Sequence, residues 1–192
     1  MEHIEVFVEE KSMERFLTVF LPKILPEKWI LNQNIFIRSF EGKQDLQKSL
    51  PKKIKVFSNW HVPIGIIVLQ DQDSSDCRVL KSKLSNLITD NGDVPHLIRI
   101  VCKELESWYF GDLTAVGLAY PNFRVDKFQR LSKYRTPDLV NASFELQKIL
   151  PDFQKVISAS KIAQFIDENK NSSESFNQFV IGLKRFVAVE NM

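Results

Sequence analysis

The sequence has few of the residues that build disulfide frameworks or zinc sites. Only two of its 192 residues are cysteines, Cys77 and Cys102, and they form no C-x-x-C pair. The histidines His3, His61 and His96 are scattered along the chain. A structural zinc site needs closely spaced ligand pairs, and a disulfide framework needs more cysteines than these. The sequence therefore argues against both and predicts two reduced thiols in a cytoplasmic protein.

Long apolar runs and a large net charge are also absent. No segment approaches the ~18 consecutive apolar residues that a membrane helix needs, and the longest apolar stretch, 63–69, has the length of a strand. The first residues are too acidic and too poor in apolar side chains to predict a signal peptide. The net charge of +2 does not by itself indicate nucleic acid or an anionic membrane as a partner. With 44% hydrophobic residues, the chain can bury an ordinary core.

Strand-like and helix-like segments alternate over residues 1–115. Runs typical of strands begin near Ile4, Asn34, Pro63 and His96, and the first three are each followed by apolar residues at helical spacing. The run that begins at Pro63 is apolar on both faces, which is typical of a central parallel strand covered by helices. The alternation predicts an α/β fold with a mostly parallel, four-stranded sheet and right-handed crossovers.

Local signals predict several helix ends and the organisation of the second half. Ser12 and Asp76 are predicted to cap the first and third helices, and the pair Ser172-Ser173 a late one, since such side chains accept hydrogen bonds from free N–H groups. Pro51 is predicted to end the second helix. Helices are predicted over 144–150, 153–167 and 175–187, a loop-rich connection over 120–140, and a core over 1–115 with a helical extension over 116–192, packed as one compact domain.

Acidic residues follow three of the predicted strands. They are Glu9 and Glu10, Asp71 and Asp73, and Glu104 and Glu106. The carboxyl ends of parallel strands meet at one sheet edge, where α/β proteins place their sites. In an extended chain Asp71 and Asp73 point the same way, and like charges so close favour a bound cation such as Mg²⁺. Any one of these acids alone is as well explained as a cap or a solvated loop residue, and strand alternation does not choose between Glu104 and Glu106.

The acidic pattern resembles that of Toprim-like proteins, in which a Glu after the first strand and an Asp-x-Asp after a later strand bind Mg²⁺. More narrowly, the sequence resembles a bacterial family, the domain of unknown function 4276. The matching stretches, which span nearly the whole chain, are 7–14, 42–46, 71–77, 104–108 and 175–179. Glu10 departs from the family pattern, which usually has glycine there, and it adds bulk and negative charge near the metal position.

The resemblance implies a Toprim-like (Rossmann-like) fold and a function on phosphodiesters, as in topoisomerases, primases and overcoming-lysogenization-defect-type nucleases. It implies that Glu9, Asp71, Asp73 and Glu106 are the catalytic and metal-binding residues, with Glu106 preferred over Glu104. The first hypothesis is therefore a Mg²⁺- or Mn²⁺-dependent nuclease or phosphodiesterase, in which Glu106 holds a second ion or acts as the general base.

Several other residues are weaker candidates. Lys43 is predicted to contact a substrate phosphate, because Gly42-Lys43 opens a helix whose N-terminus attracts anions. Lys103, Lys155 and Lys161 are weaker candidates for contact with a nucleic-acid backbone. Trp108 is expected to pack beneath the acidic site. The alternative hypothesis, from the resemblance alone, is a non-catalytic module that acts beside an ATPase in a phage-defence-type system.

Overall fold

The computed structural model describes residues 1–188 and contains a four-stranded parallel sheet. The strands are β1 (His3–Val8), β2 (Ile35–Ser39), β3 (Ile64–Asp71) and β4 (His96–Val101). Their order in the sheet is β2-β1-β3-β4, and every neighbouring pair is parallel. The predicted α/β fold with a parallel four-stranded sheet is therefore confirmed.

Helices connect the strands and follow the last one. Those between strands are α1 (Lys11–Ile24), α2 (Lys43–Phe57) and α3 (Cys77–Thr89). Those after β4 are α4 (Glu106–Gly111), α5 (Leu113–Ala119), α6 (Val125–Gln129), α7 (Ala142–Ile149), α8 (Lys155–Ala163) and α9 (Glu174–Ala188). Sequence alone predicts no helix directly after β4, and the connection over 120–140 holds α6 and two short 3₁₀ turns. Within residues 1–188 no helix has both the length and the apolar character of a membrane crossing.

Both faces of the sheet are covered, which explains why β3 is buried along its whole length. Ile66 and Val68 pack with the apolar residues of α2 and α3, whereas Ile67 and Leu69 pack with α1 and with helices that follow β4. The helices after β4 therefore complete one face of the core. The boundary predicted between residues 115 and 116 falls within α5, and the division into core and extension stays a prediction.

Two of the predicted helix ends are wrong. Glu10, not Ser12, is in the N-cap position of α1, and the buried Ser12 hydroxyl donates to the Glu10 carboxylate instead. Pro51 lies inside α2, which continues to Phe57. Proline lacks the N–H for one helical hydrogen bond, but Ile54 and Phe57 beyond it are buried and keep the helix in place.

The caps predicted for two other helices are confirmed. Asp76 Oδ1 accepts hydrogen bonds from the backbone N–H groups of Arg78 and Val79, both at 2.9 Å. The Ser173 hydroxyl accepts one from the N–H of Phe176 at 3.2 Å. Asp76 thus fixes the end of the loop that carries Asp71 and Asp73.

Candidate active site

The sheet places Glu9 and Asp71 side by side. β1 and β3 are neighbours in register, and Val8 lies opposite Leu69. The backbone N–H of Asp71 donates to Glu9 Oε2 at 3.2 Å. β4 lies on the other side of β3, with Val101 opposite Asp71, so the chain that follows β4 reaches the same edge.

Asp71 and Glu106 are buried acids with carboxylate oxygens that lack hydrogen-bond partners among residues 1–188. Asp71 exposes 6% of its surface and Glu106 none. Within the described chain, Asp71 Oδ1 and both carboxylate oxygens of Glu106 make no hydrogen bond. Each such buried atom costs ~1–3 kcal/mol, so unpaired groups are rare in folded proteins. Their presence is typical of groups kept for a ligand or for proton transfer.

Burial and mutual repulsion raise the pKa values of these acids. Burial raises the pKa of Glu106 to about 7, although the nearby ammonium group of Lys155 opposes the increase. The Glu106 carboxylate also lies near its own backbone N–H, in a geometry too poor for a hydrogen bond. Burial, and then the charges of Glu106 and Glu9, raise the pKa of Asp71 well above its usual value. Near neutral pH the cluster therefore either keeps protons or takes up a cation.

The ammonium group of Lys155 lies among three carboxylates. Its Nζ is 3.7 Å from Glu10 Oε1, 3.9 Å from Glu104 Oε2 and 3.7 Å from Glu106 Oε1. Burial lowers the pKa of Lys155, but these carboxylates outweigh burial and raise it. The Glu104 carboxylate has a second partner, because it accepts a hydrogen bond from the Ser143 N–H at 2.7 Å. Glu106 is thus the acid of this pair that faces Asp71. We call Asp71, Glu106 and Lys155 the buried side of the site.

Asp73 lies on the exposed side. Its φ of 52° is left-handed, so the chain is not extended from Asp71 to Asp73. The prediction of an extended chain, from which the two side chains were expected to point the same way, is therefore wrong. The backbone turns here because the Asp73 N–H donates to the Lys103 carbonyl at 3.0 Å. The Asp73 carboxylate accepts a hydrogen bond from Lys43 Nζ at 2.6 Å, and both side chains are about half exposed. We call Asp73 and Lys43 the rim of the site.

The rim is connected to the buried side through Glu9. Burial and the Asp73 charge raise the pKa of Glu9, whereas its hydrogen bond from Asp71 lowers it. Glu9 therefore senses both Asp71 and Asp73. The two sides share one electrostatic environment although the side chains of Asp71 and Asp73 lie in different surroundings.

Glu10 does not need the backbone freedom of glycine. Its φ of −145° and ψ of 168° are extended, a conformation open to any residue. Its carboxylate accepts from the Ser12 hydroxyl and lies near Lys155, so its charge is partly balanced within the site.

Aromatic residues of α4 follow Glu106 and are buried in the core. Trp108 is fully buried, donates from Nε1 to Ser175 Oγ at 3.0 Å and stacks on Phe179, and its place beneath the acidic site stays a prediction. Sequence reasoning missed Tyr109, whose buried hydroxyl has no partner within residues 1–188. Burial and the charges of Glu106 and Asp71 raise its pKa. The signal that could have identified it is the three-residue spacing from Glu106, which places both on one helix face.

The two remaining lysine candidates lie away from the buried side. Lys103 lines a cavity of about 290 Å³ beside Asp73, together with Glu104 and residues 139–141. Lys161 Nζ lies 3.9 Å from the centre of the Tyr120 ring. Of the lysines considered from the sequence, Lys43 and Lys155 are therefore the two that contact the acidic cluster.

The residue types suit Mg²⁺ or Mn²⁺, but the side chains are not gathered around one point. Within residues 1–188 no three His, Cys, Asp or Glu side chains are arranged so that they could already hold a metal ion. Carboxylate oxygens are the donors that these ions prefer, and among residues 1–188 Asp71 Oδ1 and both oxygens of Glu106 make no hydrogen bond. The acids therefore fit a hard divalent ion chemically, and binding one requires side-chain rotation.

Comparisons with known proteins agree with the fold. Residues 8–184 match the family described as Domain of unknown function (DUF4276). The iodine-phased structure of the C-terminal region of the Xanthomonas campestris pv. campestris OLD protein has a TM-score of 0.52 and 14% identity, covering 96% of this chain and 95% of that one. The platinum-phased structure has a TM-score of 0.52 and 12% identity, covering 97% and 94%. No curated protein sequence matches the chain. The likeness confirms the predicted Toprim-like fold.

Proposed function

We propose a function from the premise that the chain belongs to the DUF4276 family. The protein is a divalent-metal-dependent enzyme that cleaves phosphodiester bonds in nucleic acid. The observation that carries this proposal is the pair of buried acids Asp71 and Glu106. Asp71 Oδ1 and both carboxylate oxygens of Glu106 have no hydrogen-bond partner among residues 1–188, and Glu9 lies beside Asp71. They lie at the sheet edge where α/β proteins bind their ligands. The fold shared with the C-terminal region of an OLD protein supports a nuclease-related Toprim-like domain.

The acids have different roles in this proposal. Glu9, Asp71 and Asp73 hold a Mg²⁺ or Mn²⁺ ion, which when bound polarises a phosphoryl oxygen and stabilises the leaving oxygen. Glu106 acts as the general base for the attacking water. Its pKa of about 7 lets it accept and release a proton near neutral pH.

Lys43 contacts the phosphate on the solvent side in this proposal. It is the first residue of α2, and its pairing with Asp73 at 2.6 Å keeps it at the rim. The free N–H groups at the start of the helix attract the same phosphate. When Asp73 turns toward the ion, the Lys43 ammonium group becomes available to the substrate.

Cleavage of supercoiled plasmid, linear DNA and RNA in Mg²⁺ or Mn²⁺ tests the proposal. We expect cleavage by the wild-type protein and its loss in Glu9→Gln and Asp71→Asn. Asp76→Asn is the matched control, because Asn caps a helix as well as Asp does and Asp76 lies in the same loop. This variant should keep the wild-type rate.

The contrary result is equally specific. If none of the substrates is cleaved in either ion while the protein forms a stable complex with an ATPase, the non-catalytic module is the better description. Cleavage that persists in both Glu9→Gln and Asp71→Asn places the activity outside this cluster or in a contaminant. Chelation of the ion should stop genuine cleavage in every case.

A further inference from the structure

We infer that the site takes one divalent ion and that the ammonium group of Lys155 occupies the position of a second cation. The inference deepens the proposed function, on which it rests, because it concerns the same carboxylates. It makes Lys155 the residue that sets how many ions the site holds, and it separates the ion-binding acids from the acid that exchanges protons.

The first observation is the position of Lys155 Nζ between three carboxylates, one after β1 and two after β4. Its distances to Glu10, Glu104 and Glu106 lie between 3.7 and 3.9 Å. None of these contacts is a directional hydrogen bond, so the ammonium group is shared among three charges in the manner of a counter-ion. A second Mg²⁺ would need the same carboxylate oxygens as ligands, after side-chain rotation brings them together.

The second observation is that α8 does not favour a cation where Lys155 lies. Lys155 is the first residue of this helix, where the helix dipole carries partial positive charge and disfavours an ammonium group. No acidic residue lies in the first turn of α8 to balance it. Carboxylates outside the helix therefore hold Lys155 in place, and the site rather than the helix accounts for this lysine.

The third observation is independent of the acidic cluster as such. The Glu106 side chain is fully buried, and neither of its carboxylate oxygens has a hydrogen-bond partner among residues 1–188. Lys155 supplies the positive charge that lowers the pKa of Glu106. A side chain in this condition is aimed at a cation, and on this side of the site the protein supplies that cation itself.

The two sides of the cluster then differ in whether they can take up a divalent ion. Asp73 pairs with Lys43, whose charge also acts on Glu9, and this lysine lies at the exposed rim and can exchange with solvent ions. On the buried side, a second divalent ion would have to displace Lys155 from between its carboxylates. Two-ion sites need their ions roughly 4 Å apart, and the fixed positive charge of Lys155 repels an ion entering there.

Isothermal titration calorimetry of the metal-free full chain with Mn²⁺ tests the inference, because it counts the bound ions. We expect the wild-type protein to bind one ion. Lys155→Met removes the charge and keeps an apolar stem, so it should bind two ions, with the first about tenfold more tightly because the competing charge is gone. Lys161→Met, the same substitution further along α8, is the matched control and should bind one ion like the wild type.

Each other outcome overturns the inference. Two ions bound by the wild-type protein contradict it without any variant, and so does a single ion in a folded Lys155→Met protein. If Lys155→Met does not fold, Lys155→Gln replaces it with the same expectation. Two ions in the wild type with intact cleavage overturn the inference but leave the proposed function standing. The absence of any bound ion overturns both.

Discussion

The two lysines of the site are both partly exposed, but the acids that they face differ in burial. On the rim, Lys43 Nζ is only 2.6 Å from an Asp73 oxygen, but both side chains are about half exposed. On the buried side, Lys155 approaches no carboxylate closer than 3.7 Å, yet it faces Glu106, which is fully buried. Exposed ion pairs contribute little because water screens them. Charges in a buried space are screened less, so the longer contact of Lys155 with Glu106 can be the stronger of the two. Burial, rather than distance, therefore decides which ion pair contributes more.

The difference assigns different tasks to the two sides. A solvated pair such as Lys43 and Asp73 separates at low cost, so it suits the entry of an ion or a phosphate. The acids of the buried side have little contact with water, and burial raises their pKa values, which favours bound protons or a fixed cation. The predictions below therefore compare one side with the other.

The largest expected effect is on cleavage. Asp71→Asn should reduce the single-turnover rate by about 10³-fold, because it removes a charge from the ion site in a space without water. Asp73→Asn should reduce it by about tenfold, since Asp73 is half exposed and water can replace its oxygen as a ligand. Rates measured on one DNA substrate, with circular dichroism to check folding, give the comparison. Equal losses in the two variants would remove the distinction between the two sides.

The next effect is a pH dependence of stability in the metal-free protein. The folded protein keeps the Glu106 proton up to a pKa of about 7, whereas the unfolded chain releases it near the ordinary value of 4.5. Stability from this group is complete below pH 4.5 and is lost as the pH rises through about 7. The loss amounts to about 3 kcal/mol at most.

Urea unfolding in the presence of a chelator measures this loss. Glu106→Gln cannot titrate, so its free energy of unfolding should fall less than that of the wild type between pH 4.5 and 7.5. Part of the wild-type slope remains in the variant because the pKa of Asp71 is also raised. Parallel curves for the two proteins would show that Glu106 titrates normally.

A smaller effect is expected from Lys155→Met on the stability of the metal-free protein. The variant leaves Glu10, Glu104 and Glu106 without their shared cation, and its free energy of unfolding at pH 7 should fall by roughly 1 kcal/mol. The value is modest because Lys155 is 38% exposed and Glu106, whose pKa is raised, can take up a proton. Thermal unfolding followed at pH 5 and pH 8 measures it. The loss should be larger at pH 8, and a larger loss at pH 5 would contradict the ion-pair explanation.

The smallest expected effect on stability is that of Lys43→Met. Because this lysine is solvated, the variant should unfold at the wild-type temperature. Its effect should appear in the KM for DNA, with a slope of log KM against log salt that is smaller by about one, as for the loss of one phosphate contact. A destabilised variant with unchanged KM would place Lys43 in the fold rather than at the substrate.

Sequence patterns predicted the sheet well because its signals are local. The run 63–69 is apolar on both faces and forms the buried strand β3, and Asp76 caps the following helix. Ser12 and Pro51 were misplaced because tertiary packing overrides such local signals. Ser12 is buried in the first turn of α1, and α2 continues past Pro51 because apolar residues beyond it are buried.

Sequence patterns could predict the site only for residues whose position is set by the end of a strand. The parallel sheet brings Glu9 to Asp71, which alternation of strands and helices predicts. The alternation of strands and helices does not predict the left-handed backbone of Asp73. It also does not predict the contact of Glu106 with Lys155, which is far along the chain. The choice of Glu106 over Glu104 depends on the Ser143 N–H that holds Glu104, a contact between distant segments. Long-range packing of this kind leaves no periodic trace in a sequence.

Anomalous diffraction from crystals of the wild-type protein grown with Mn²⁺ tests the metal site most directly. We expect one strong peak within ligand distance of the carboxylates of Glu9 and Asp71, with Lys155 still beside Glu106. No peak at this sheet edge, or a peak that is not bound by Asp71, would contradict the assignment of these acids to a metal site.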